Sequence, residues 1–183
     1  TAYGMARGID QTGYIGYDIS VGDVALSFDT SKATGGTDRS ASISYTGMDG
    51  LQIVGGMAET GTAQTNASVD METVGIKYTM GSITVAAQAN EVDDTSTTND
   101  DEDATHIGVS FALSDQVSIS YAQLETEFGK STKTADETVS GVGVSYTAGS
   151  MSVKAYAGKT ENNAGSATAS DLEEKGVTLS FSF

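Results

Sequence analysis

The chain has 183 residues and a formal net charge of -16, with 22 Gly and no Cys, Pro or Trp. The missing Cys excludes disulfides, thiolate chemistry and Cys-based metal sites, and the acidic balance argues against nucleic acid, whose phosphates need Lys and Arg. No apolar run approaches the ~18 residues of a membrane-spanning helix, while the lack of Pro suits a chain made mostly of central strands, because Pro cannot donate to a sheet ladder.

Read along the chain, apolar and polar residues alternate with period two, the mark of a strand with one apolar and one wet face. The alternation predicts strands at 12–19, 24–30, 39–46, 51–59, 71–80, 83–91, 105–113, 117–125, 138–147, 151–159 and 175–183. The connections alternate in length. Short ones fall at 20–23, 47–50, 81–82, 114–116 and 148–150, and long polar ones near 31–38, 60–70, 92–104, 126–137 and 160–174. Short turns on one side and long loops on the other predict an all-β fold, an antiparallel up-and-down transmembrane β-barrel. Its turns would face the periplasm and its loops the outside.

The aromatic residues mark a membrane boundary. Tyr17, Tyr45, Tyr78, Phe111 and Tyr146 each precede a short turn by two or three residues, and Phe181 holds the matching place before the end. Each falls on the apolar parity of its strand, as in Val74/Ile76/Tyr78 and Val142/Val144/Tyr146. They are expected to form one outward girdle at headgroup level. The opposite parity carries Ser, Thr, Gly, Gln, Lys and Asp, too small and polar for the core of a soluble β-sandwich. On that inward parity lie Lys77, Lys154, Asp18, Asp29, Gln52, Gln88, Asn90, His106 and Tyr156, the candidate pore lining.

The last segment, Lys175-Gly-Val-Thr-Leu-Ser-Phe-Ser-Phe183, alternates strictly and stops on Phe183. It resembles the closing strand that the bacterial barrel assembly machinery reads. Two further segments are Thr12-Gly-Tyr-Ile-Gly-Tyr-Asp-Ile-Ser-Val-Gly-Asp-Val-Ala-Leu-Ser-Phe-Asp29 and Gly141-Val-Gly-Val-Ser-Tyr-Thr-Ala-Gly-Ser-Met-Ser-Val153. With these, the chain resembles the general-diffusion porins of alphaproteobacteria, the Rhodobacter-like type, over essentially its whole length. The resemblance implies a channel in the bacterial cell outer membrane that passes small hydrophilic solutes and ions. It also implies a homotrimer among outer-membrane lipid and lipopolysaccharide, and a barrel of about sixteen strands. Eleven predicted strands is an odd number, whereas single-chain bacterial barrels have even ones. Two readings of the count stand. In the favoured one the single domain 1–183 is the C-terminal part of a longer porin, with 1–11 the tail of its constriction loop. In the other, 1–8 supplies a twelfth strand.

In the resembled family, basic wall residues face acidic residues of an inward loop. That implies a constriction role for Lys77 and Lys154, with Arg7 and Arg39 near the loop ends. The excess of carboxylates predicts a cation preference. Asp93, Asp94, Asp100, Asp101, Glu102 and Asp103 share one predicted loop. Oxygen ligands at that density suit Ca²⁺ or Mg²⁺, although the run lacks the Gly and closing Glu of an EF-hand frame, and a solvated acidic loop is the plainer reading. No other cofactor and no enzymatic chemistry are expected. His106, the single His, falls on the inward parity, and Ser110 on the same strand would lie about 13 Å away at ~3.3 Å per residue. Ser118 or Ser120 on the paired strand would come nearer, but no nucleophile elbow, phosphate loop or dinucleotide fingerprint accompanies them. The alternative to a diffusion channel is a non-conducting structural or adhesive barrel acting through its long acidic loops.

Overall fold

The computed structural model describes residues 11–33, 36–61, 68–94 and 101–182. They form one eleven-stranded antiparallel sheet in which every strand pairs with its neighbours in sequence. The strands are β1 (Gln11–Val21), β2 (Val24–Ala33), β3 (Gly36–Tyr45), β4 (Leu51–Gly61), β5 (Ser68–Met80), β6 (Ile83–Asp94), β7 (Glu102–Ala112), β8 (Val117–Phe128), β9 (Glu137–Ala148), β10 (Met151–Glu161) and β11 (Leu172–Phe181). β1 and β11 are the edges, so the described sheet is open. In lipid, where no water satisfies a free ladder edge, such a sheet is stable only with both edges paired into a closed barrel. Among the described residues the only helical element is a single 3-10 turn at Asn163–Gly165.

Tight turns set the register on one side. In three hairpins Gly22, Gly81 and Gly149 take the first turn position with φ of 59°, 59° and 58°. Asp23, Ser82 and Ser150 follow with no positive φ, the pattern of a type II′ turn, whose twist matches that of the flanking strands. On this side the observed strands begin and end within two residues of the sequence expectation. On the loop side they run farther. β2 and β3 stay paired out to Ala33↔Gly36, which leaves only 34–35 of the loop expected near 31–38. β6 likewise continues to Asp94 and β7 begins at Glu102, so both ends of the acidic run expected as one loop, 93–94 and 102–103, are strand.

Directly paired residues share a face, and the register sorts the chain into two. One face carries rows such as Ile53↔Ile76, Ile76↔Ala87 and Ala87↔Ile107. The other carries Gln52↔Lys77, Lys77↔Ala86 and Ala86↔Gly108. No described apolar residue is buried; Ile15 is 72% and Val177 74% exposed. A sheet without a core cannot be held in water by apolar burial, since nothing covers its apolar face. Lipid supplies that cover, with the ladder satisfying the backbone.

Candidate functional site

The candidate site is the polar face. Lys77, Lys154, Asp18, Asp29, Gln88, His106 and Tyr156 all stand on it, paired with Ala86, Thr178, Ser27, Ser40, Gly75, Leu124 and Gly176. Ala86, Gly75 and Gly176, small residues beside Lys77, Gln88 and Tyr156, leave open space. A hollow of about 740 Å³ is bordered by Asp18, Gln52, Lys77, Gln88 and His106.

Polar side chains here bond to one another within and across strands. Gln88 Nε2 donates to Asn90 Oδ1 at 2.7 Å and to Thr73 Oγ1 at 3.3 Å, and Thr73 Oγ1 donates to the same Asn90 oxygen at 2.8 Å. Ser40 donates to Asp29 at 3.1 Å, and Ser118 and Ser145 hydroxyls meet at 2.7 Å. Tyr156 donates to Glu174 at 2.7 Å. Its ring lies over Gly176, where a Cβ would fall 2.4 Å from ring carbon Cε1. Any larger residue at 176 would therefore lift the ring off the wall.

The same register places seven carboxylates on this face, Asp18, Asp29, Asp38, Asp94, Glu102, Glu137 and Glu174, against the two ammonium groups of Lys77 and Lys154. Arg39, expected beside the basic wall, is on the opposite face, paired with Thr30 and Glu59. Its parity with Ala41, Ile43 and Tyr45 already carried that information. Arg7 lies outside the described residues.

The apolar face carries Tyr17, Tyr45, Tyr78, Phe111, Tyr146 and Phe181. They do not all keep one distance from their turns. Tyr78 and Tyr146 precede Gly81 and Gly149 by three residues, but Tyr17 precedes Gly22 by five, because the β1–β2 ladder runs on to Val21↔Val24. Tyr17 pairs directly with Phe28. Phe28 and Tyr121 also stand on this face, exposed, although the spacing of the expected girdle had no place for them. Phe183 lies outside the described residues.

The described members of the expected metal cluster do not share one face. Asp93 and Asp103 stand on the apolar face's side of the ladder, while Asp94 and Glu102 stand on the polar side, because neighbours in a strand point opposite ways. Asp101 Oδ1 accepts the Asp94 backbone N–H at 2.9 Å, and Asp100 lies outside the described residues. Among the described residues the carboxylates that do converge are Glu125, Glu127 and Asp136, all exposed, with oxygens within 4.8 Å of one another. Nor does the register set Ser118 or Ser120 opposite His106. Ser118 and Ser120 pair with Ala112 and Ser110, six and four positions down the ladder from Leu124, the residue opposite His106.

Beyond the apolar rows the outward face turns acidic. Glu72 is opposite Glu91, Glu91 opposite Asp103, and Asp103 opposite Glu127. Like charges directly paired across strands repel. Glu91 stands above the apolar rows, outside the part that faces lipid tails. Its carboxyl is held above the ordinary carboxylate range by Asp93 first, then Asp103, with burial and Glu72 adding less.

The sequence model of the Gram-negative porin family matches residues 2–183. No curated protein sequence matches the chain. In structure the chain is similar to an anion-selective porin from Comamonas acidovorans, with a TM-score of 0.71 at 11% identity over 91% of this chain and 57% of that one. It is also similar to the outer membrane protein OmpT of Vibrio cholerae in its trimer form, with a TM-score of 0.63 at 14% identity over 92% and 64%. At these identities the likeness is one of fold, and the chain spans less than two thirds of either structure.

Proposed function

Because the chain belongs to the Gram-negative porin family, we propose that it builds part of the wall of a passive diffusion channel for small hydrophilic solutes and ions. It belongs in the bacterial outer membrane, as that family does. The observation that carries the reading is a sheet with no apolar core, one lipid-suited face and one hydrogen-bonded polar face. The channel needs no chemistry from the wall, only water along it. On the strands, seven carboxylates against two ammonium groups favour cations, with Lys77 and Lys154 as the local exceptions. The hairpin 12–29 and the segment 141–153 favour the alphaproteobacterial, Rhodobacter-like type. In this reading further strands pair the edges β1 and β11 to complete a barrel of about sixteen strands. Phe183 belongs to the signal for the assembly machinery. A homotrimer is part of the proposal, supported by the trimer form of the structurally similar Vibrio cholerae protein. The outward carboxylates above the apolar rows stand where lipopolysaccharide phosphates and bridging Ca²⁺ or Mg²⁺ would meet them.

Single-channel recording of the full-length protein in a planar bilayer under a salt gradient tests this. Ohmic steps in groups of three with a cation-selective reversal potential are expected. Replacing Lys77→Glu and Lys154→Glu together should raise the cation preference further. A silent bilayer, with insertion shown independently, would leave the non-conducting adhesive barrel standing instead.

A further inference from the structure

The connection between β10 and β11 does not stand free above the sheet. It reaches back past β9 to the end of β8 and docks on the 129–136 loop. Five hydrogen bonds hold it. Lys133 Nζ donates to Ala164 O at 2.6 Å, Thr134 N to Gly165 O at 2.9 Å, Asn162 Nδ2 to Asp136 O at 3.0 Å, Ala164 N to Glu137 Oε2 at 2.6 Å, and Ala167 N to Thr134 Oγ1 at 3.0 Å.

The side of the sheet on which it lies follows from register. Phe128 pairs with Glu102, and Glu137 with Thr126, both on the polar face. Gly165 is buried against Phe128: a Cβ there would lie 2.7 Å from Phe128 Cδ2 and 2.9 Å from Lys133 Cδ. Lys133 Nζ in turn stands 4.8 Å from the centre of the Phe128 ring, a cation–π distance. The segment is therefore pinned over the polar face. Its backbone is not relaxed. Asn162 and Ala164 have φ of 51° and 55°, a left-handed conformation that Ala adopts only where its surroundings impose it.

We propose that residues 162–167 form a fixed strap across the loop-side mouth of the channel that sets the largest solute admitted, held there by Lys133, Glu137 and the space left at Gly165. This rests on the diffusion-channel reading above. A strap anchored to two neighbouring strands narrows the opening without closing it, so small solutes pass and bulky ones are slowed.

The test uses the full-length protein in liposomes, with swelling rates measured for neutral sugars from monosaccharide to tetrasaccharide. Lys133→Ala combined with Glu137→Ala should admit the largest sugar several-fold faster and still pass the smallest. A second variant, Thr134→Cys with Ala167→Cys, should form a disulfide in the native protein and keep the wild-type size profile. This pair also reads the docking should the double alanine variant misfold. An unchanged size profile in the double alanine variant, or thiols at 134 and 167 that stay free under oxidation, would overturn the strap. Wild-type vesicles closed to every sugar would overturn the channel reading and with it the sieving role, even with the disulfide formed.

Discussion

The two halves of each strand, one toward the tight turns and one toward the long loops, share a single ladder but not a single chemistry. On the turn side of β5 and β6 the outward residues are Val74, Ile76, Tyr78, Ile83, Val85 and Ala87. On the loop side of the same strands they are Asp70, Glu72, Glu91 and Asp93. The hydrogen bonding continues without a break between them. The contrast separates two demands. The backbone needs a ladder everywhere, but only the lipid-facing stretch needs an apolar face. Above that stretch both faces are wet, and like charges even stand opposite one another.

The largest effect expected from this division comes from moving a charge between the halves. Ile76→Arg sits on the outward face within the apolar rows and should cost about 2–4 kcal/mol of stability, the scale for a cation on the lipid face near the bilayer midplane. Glu72→Arg lies on the same face of the same strand and should be neutral or stabilising, since it breaks a row of carboxylates. Urea titrations of the protein folded into vesicles measure both. Equal costs at the two positions would break the division.

A smaller effect sharpens it. Neighbouring carboxylates raise the Glu91 carboxyl in the folded state, so between the ordinary carboxylate value and the raised one the folded protein binds more protons than the unfolded chain. Stability then falls as pH rises through that window and is recovered on acidification. Glu91→Gln should flatten this dependence and give a slightly higher urea midpoint above the window. A midpoint for Glu91→Gln that still falls by the same amount across the window would remove Glu91 from the account.

The same division explains what was legible in the sequence. Turn-side strand ends were readable because Gly81 and Gly149 punctuate a sharp alternation. The loop-side ends at Ala33, Asp94 and Phe128 were not, because residues such as Asp93 and Asp94 are polar on both faces and period two loses its contrast. The two faces of the wall followed from parity alone, which placed Lys77 and Gln88 with Asp18. Arg39 was misassigned by its nearness to a loop rather than by its parity with Ile43 and Tyr45. The acidic run seemed one ligand set only because its residues are contiguous, whereas strand pleating divides them. The strap left no local signal: Lys133 and Ala164 lie 31 residues apart, and no period or motif connects them. Gly165 is no signal either, since Ala164, Ser166 and Ala167 around it are also small.

The central claim is that one face of this sheet meets lipid and the other water, and that the distinction ends where the outward carboxylates begin. Spin labels placed singly along β6, from 83 to 93, in the full-length protein in bilayers test it most directly. The account predicts that 83, 85, 87 and 89 collide with oxygen dissolved in lipid, and that 84, 86, 88 and 90 collide with a water-soluble nickel chelate. From 91 onward both parities should collide with the chelate. Uniform accessibility along the strand, or an alternation of opposite phase, would contradict it.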